Sequence, residues 1–131
     1  MSRPRLVVAD NHPQMSAALR DLLEPAYDVV AVVADGRAAL EAAEQYEPDG
    51  IVLDIAMPGM NGLEVAQRLR KSRPGVRIIF VTVHSDQAYV AEAFRLGAQG
   101  FVVKRALVTE LPTAIAEILR GGSYRSPSIA G

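Results

Sequence analysis

Cysteine and tryptophan are absent from the 131-residue chain, and only 5% of its residues are aromatic. Without cysteine there is no disulfide framework, no thiolate zinc site and no cysteine nucleophile. Neither sign of charge dominates, because Lys and Arg number 14 against 15 Asp and Glu, for a formal net charge of −1. The segment by itself is therefore a poor candidate for non-specific nucleic-acid binding. No apolar run approaches the roughly 18 residues that a membrane span requires, and the apolar stretch after Arg5 is ended by Asp10, too early for a signal peptide. Repeats and low-complexity segments are also missing. What is present, 50% hydrophobic and 22% charged residues, suits one globular domain with a single core. The expectation is a soluble, cytoplasmic protein with no membrane attachment.

Five short runs of Val, Ile and Leu stand out: Leu6 to Ala9, Val29 to Val33, Ile51 to Leu53, Ile78 to Val81 and Phe101 to Val103. They are continuous rather than alternating, as strands covered on both faces of a parallel sheet should be. Stretches of helical period follow each run. Met15, Ala18, Leu19, Leu22 and Leu23 make the first, and Leu111, Ala114, Ile115, Ile118 and Leu119 make the cleanest. Strand and helix thus alternate five times, which predicts right-handed crossovers and a parallel sheet sandwiched between helix layers.

Capping chemistry supports these assignments. Pro13 suits the first turn of a helix, Asp35 an N-cap, and Asn61 with Glu64 a capping pair. Ser85 or Asp86 caps the fourth helix and Gly97 ends it. Thr109 is expected to cap the fifth, leaving Pro112 in its first turn. From Gly121 the chain turns rich in Gly, Ser and Pro, which predicts one domain over residues 1–121 and the start of a linker, or a C-terminal tail, over 122–131.

In open parallel sheets, ligands sit beyond the carboxyl ends of the strands. The residues found there are Asp10 and Asn11, Asp54, Thr82 and Lys104. Carboxylates with few other ligands suit Mg²⁺, while a lysine and a hydroxyl suit phosphoryl oxygens. The set points to phosphoryl transfer onto a carboxylate.

Four segments carry a resemblance to a known family: Val8-Ala-Asp-Asn-His-Pro13, Val52-Leu-Asp-Ile-Ala-Met-Pro-Gly-Met-Asn-Gly62, Phe80-Val-Thr-Val-His84 and Gly97-Ala-Gln-Gly-Phe-Val-Val-Lys104. In this order the chain resembles a response-regulator receiver domain of two-component signalling, from Arg5 to about Gly121. The Asn-His-Pro, the Thr-Val-His and the tail Gly121-Gly-Ser-Tyr-Arg-Ser-Pro127 look most like the group with a LuxR-type helix-turn-helix output domain. The resemblance implies a flavodoxin-like (βα)5 three-layer sandwich with a five-stranded sheet of order 2-1-3-4-5. It makes Asp54 the acceptor of a phosphoryl group from a sensor histidine kinase, with Asp10, Asn11, Asp54 and the Ala56 backbone carbonyl holding Mg²⁺. Lys104 would neutralise the phosphoryl group, Thr82 would hydrogen-bond it, and Phe101 would repack as the switch aromatic. The face of helix 4, strand 5 and helix 5 would then change, with homodimerisation on phosphorylation. No separate substrate is implied, only phosphorylation and dephosphorylation of the chain itself, and DNA would be met only through an output domain beyond this chain.

One position departs from the family, which usually has two acids after the first strand. Asn11 can offer an amide oxygen but brings no formal charge, so weakened Mg²⁺ affinity is expected. Asn11 also favours the alternative of a pseudo-receiver, a module that signals through protein contacts without phosphorylation. A flavodoxin-like cofactor carrier is disfavoured, since a phosphate cradle wants glycine and hydroxyls where this chain has Asp10-Asn-His-Pro13. A phosphatase with an aspartyl nucleophile would want a second acid where Ala56 stands. His12 and His84 have no carboxylate at ligand spacing on a shared helix, which argues against a metal or acid-base role.

Overall fold

The computed structural model describes residues 3–129. Each of the five apolar runs lies inside a strand: β1 (Arg5–Ala9), β2 (Asp28–Val33), β3 (Gly50–Leu53), β4 (Arg77–Thr82) and β5 (Gly100–Val103). Five helices alternate with them: α1 (Pro13–Leu23), α2 (Gly36–Tyr46), α3 (Gly62–Ser72), α4 (Gln87–Arg95) and α5 (Leu107–Leu119). All strand pairs are parallel, in the order β2-β1-β3-β4-β5. Among the described residues, no helix is long and apolar enough to cross a membrane.

Burial on both faces explains the continuous apolar runs. Successive strand side chains point to opposite sides, so Val7, Ile51, Leu53, Ile78, Phe80 and Phe101 join a core with α2, α3 and α4. Leu6, Val8, Val52, Ile79, Val81 and Val102 join another with α1 and α5. The result is the expected three-layer sandwich, and strands this apolar have no solvated face to offer.

Most caps form as their chemistry requires. Asp35 accepts from the Ala38 N–H, Asn61 from Glu64 and Asp86 from Tyr89. Gly97 takes φ +102° after α4, in the left-handed region that glycine tolerates.

Two expectations are corrected. Thr109 does not cap α5, which begins two residues earlier at Leu107 after a 3-10 turn over Lys104–Ala106. Its hydroxyl instead donates to the Ala106 carbonyl. Burying Leu107 in the α1/α5 core outweighs the local cap, and Pro112 consequently lies inside the helix. Among the described residues the sheet also has six strands rather than five. Tyr124–Arg125 forms β6, parallel to β5 at the sheet's edge. A two-residue strand in a Gly/Ser/Pro-rich stretch has no periodicity to announce it, because its bonds come from a neighbour distant in the chain.

Candidate functional site

The topology brings the strand-end residues to one edge. Asp10 follows β1 and its N–H donates to the Val33 carbonyl, while the Asp54 N–H donates to the Ala9 carbonyl. These bonds continue the ladders beyond the strands and set the two acids side by side. Both are buried, with side chains 1% and 3% exposed. Lys104, immediately after β5, reaches across to them. Its Nζ lies 2.8 Å from Asp10 Oδ2 and 2.9 Å from Asp54 Oδ2. The Asp54 contact is a well-aimed hydrogen bond, whereas the Asp10 contact is an ion pair without that alignment.

Two carboxylates and one ammonium leave a formal charge of −1 in a buried site. Burial of Lys104 works against its charge, but the Asp10 and Asp54 carboxylates outweigh it and hold the pKa above the ordinary lysine value. Lys104 therefore stays a cation throughout the neutral range.

The oxygens turned away from Lys104 have lighter partners. Asp10 Oδ1 accepts the His12 backbone N–H at 2.8 Å and lies 3.2 Å from His12 Nδ1. Asp54 Oδ1 accepts the Ala56 N–H only at 3.4 Å. Asn11 Oδ1 is buried with no hydrogen-bond partner among the described residues, an arrangement that normally costs free energy unless a ligand satisfies it. Asp10, His12 and Asp54 each present a ligand atom within 4.8 Å of the others. This oxygen-rich, net-negative donor set with an orphaned amide oxygen fits a hard divalent cation.

His12 is the residue that sequence reasoning set aside. A helix was sought to bring it to a carboxylate, but a two-residue turn closed on Asp10 does so instead. His84 packs on Tyr89, ring centroids 5.6 Å apart. Thr82 is fully buried at the end of β4, with its hydroxyl oxygen accepting the His84 N–H at 3.2 Å. Phe101 is also fully buried, its ring 6.2 Å from that of Phe80.

Backbone packing completes the site. A Cβ on Gly62 would stand 2.1 Å from the Asp54 carbonyl oxygen, and the Gly62 N–H donates to Ile55 at 2.8 Å. The start of α3 thus lies directly against the acid's own main chain.

The family model for the response regulator receiver domain matches residues 6–116. This chain belongs to that family. It is 33% identical over 127 residues to the transcriptional regulatory protein DegU of Brevibacillus brevis, covering 95% of this chain and 54% of the relative. It is 36% identical over 129 residues to a probable transcriptional regulatory protein NarL of Mycobacterium tuberculosis, covering 97% and 60%. The receiver chain thus spans just over half the length of these curated relatives. Among solved structures, a LuxR-family two-component response regulator from Aurantimonas sp. SI85-9A1 superposes with TM-score 0.94 at 37% identity, over 98% of this chain and 94% of that one. The signal receiver domain of M. tuberculosis NarL gives TM-score 0.88 at 33% identity, over 92% and 99%. The fold and the family expected from the four motifs are therefore those of the protein: it is a receiver domain, similar to those of LuxR-type response regulators.

Proposed function

We propose that the receiver takes a phosphoryl group from the phosphohistidine of a sensor histidine kinase onto Asp54, and that this controls a DNA-binding output domain outside the chain. The observation that carries the reading is Lys104 bridging two buried carboxylates at 2.8 and 2.9 Å. An Asp54 oxygen attacks phosphorus, the phosphorus–nitrogen bond breaks, and the leaving histidine keeps the electron pair. Lys104 neutralises charge gathering on the phosphoryl oxygens, and Thr82 becomes their hydrogen-bond donor once its hydroxyl is released from the β4–α4 turn. Repacking of Phe101 then alters the face formed by α4, β5 and α5, where the activated receiver would dimerise. The only chemistry is on the chain's own carboxylate, in the cytoplasm.

Asp10, Asn11, Asp54 and the Ala56 carbonyl would hold Mg²⁺. The ion supplies charge neutralisation for the incoming phosphoryl group.

Incubation with acetyl phosphate and Mg²⁺ should add the mass of one phosphoryl group, and Asp54→Ala should abolish it. No gain in the wild-type protein, or a gain that survives Asp54→Ala, rejects Asp54 as the acceptor. The pseudo-receiver alternative rests on Asn11 and predicts that first result.

The missing charge at position 11 yields a separate prediction. A unit charge about 4 Å from an ion at an effective dielectric of ~20 amounts to roughly 4 kcal/mol per unit of ionic charge before desolvation is discounted. Asn11→Asp should therefore tighten Mg²⁺ binding by about tenfold or more in a calorimetric titration. Unchanged affinity would show that position 11 lies outside the metal site.

A further inference from the structure

The segment after α5 is built into the framework that carries Lys104. β6 pairs Tyr124 with Gly100 and Arg125 with Phe101. The next residue, Ser126, is fully buried. Its N–H donates to the Phe101 carbonyl at 2.9 Å. Its Oγ accepts the Val103 N–H at 3.0 Å and donates to Glu110 Oε1 of α5. The Arg125 guanidinium lies 4.8 Å from the centroid of Phe94 on α4, a cation–π distance. Burial first, and then the charge and hydrogen bond of Glu110, raise the pKa of the Tyr124 phenol. Three consecutive residues thus tie the edge of β5 to both α4 and α5. A flexible linker has no reason to bury a hydroxyl group with both of its partners supplied.

We propose that Tyr124–Ser126 is an intramolecular strap that holds β5 in the arrangement where Lys104 bridges Asp10 and Asp54, and that it loosens when Asp54 carries a phosphoryl group. This deepens the reading of Asp54 as acceptor and rests on it. A phosphoryl group brings roughly −1.5 to −2 charges and three acceptor oxygens, which draw the Lys104 ammonium out of its bridge. Val103, the residue before it, is pinned on the far edge of β5 by Ser126 Oγ. The two demands compete through a single peptide unit. Coupling of this kind is reciprocal, so a change that weakens the strap must strengthen binding of a phosphoryl mimic by the same factor.

The test uses the full chain, with Mg²⁺ and beryllofluoride as the mimic, read by amide hydrogen exchange and by titration. In the wild-type protein, saturating beryllofluoride should speed exchange at Val103 and Ser126 by about fivefold, the lower end of ordinary coupling, and leave β1 unchanged. Ser126→Ala should bind the mimic about fivefold tighter. Glu110→Gln, which keeps the serine and its backbone bonds, should shift binding in the same direction by a smaller factor and serves if Ser126→Ala does not fold. Saturable binding with unaltered exchange at Val103 and Ser126, or with equal or weaker affinity in the variants, overturns the strap and leaves the acceptor reading standing. Absence of both beryllofluoride binding and phosphoryl uptake in the wild-type protein overturns the two together.

Discussion

Replacing Lys104 with methionine is expected to cost about 3 kcal/mol of folding stability at pH 7, the lower end for a buried charge cluster that loses one partner, and to abolish phosphoryl uptake. Methionine fills the space of the stem but leaves Asp10 and Asp54, 2% and 3% exposed, as adjacent uncompensated carboxylates. Adding Asp54→Asn should restore most of the loss by removing the second charge. Failure of the double variant to recover stability would mean that packing rather than charge is responsible.

Burial opposes the Lys104 charge in the wild-type protein, but the Asp10 and Asp54 carboxylates outweigh it and hold the Lys104 pKa above the ordinary lysine value. Its contribution is therefore fully present below the unfolded-state pKa and is lost only as pH rises through the higher folded value. The stability advantage over Lys104→Met should accordingly persist through neutrality and fade in alkali.

A single methyl group at Gly62 is expected to have the second large effect. Alanine is the better helix former by about 1 kcal/mol, so conformational preference alone would favour Gly62→Ala. Contact reverses the sign. The new Cβ would lie 2.1 Å from the Asp54 carbonyl oxygen, 2.9 Å from its carbon and 3.0 Å from Ile55 Cα. All three are backbone atoms that cannot swing aside. Overpacking of this kind costs about 1 to 3 kcal/mol, and the strain falls on the loop that aims the acceptor. A displacement of about 1 Å can reduce a positioned reaction by two orders of magnitude. Phosphoryl uptake by Gly62→Ala should therefore slow by at least about tenfold, with a lowered Tm. Gly75→Ala provides the control, since nothing among the described residues lies within 4 Å of a Cβ there. Equal behaviour of the two variants would dismiss the contact as the cause.

Where sequence reasoning succeeded, the signal was local or periodic. The five apolar runs became strands because residues apolar on both faces are stable only between helix layers. Asp35, Asn61 and Asp86 cap the helices because each satisfies an N–H three residues away. Thr109 offered the same local chemistry and still failed, since burial of Leu107 drew the helix start toward Lys104. His12 was dismissed for want of a helix, yet an i to i+2 turn sufficed to bring it to Asp10. Ser126 gave no sign of burial, because its partners Phe101, Val103 and Glu110 are far away in sequence.

By itself, then, the order of residues determined the strand–helix alternation, the acids and cation at the strand ends, and the family to which they belong. These follow from side-chain periodicity and from motifs contained within a few residues. Tertiary structure alone decided that Lys104 bridges both acids, that Gly62 abuts the Asp54 main chain, and that the C-terminal segment closes the sheet as a sixth strand. Each of those contacts joins groups from separate elements, so it exists only when the packed layers bring the strand ends, loop and tail within bonding distance.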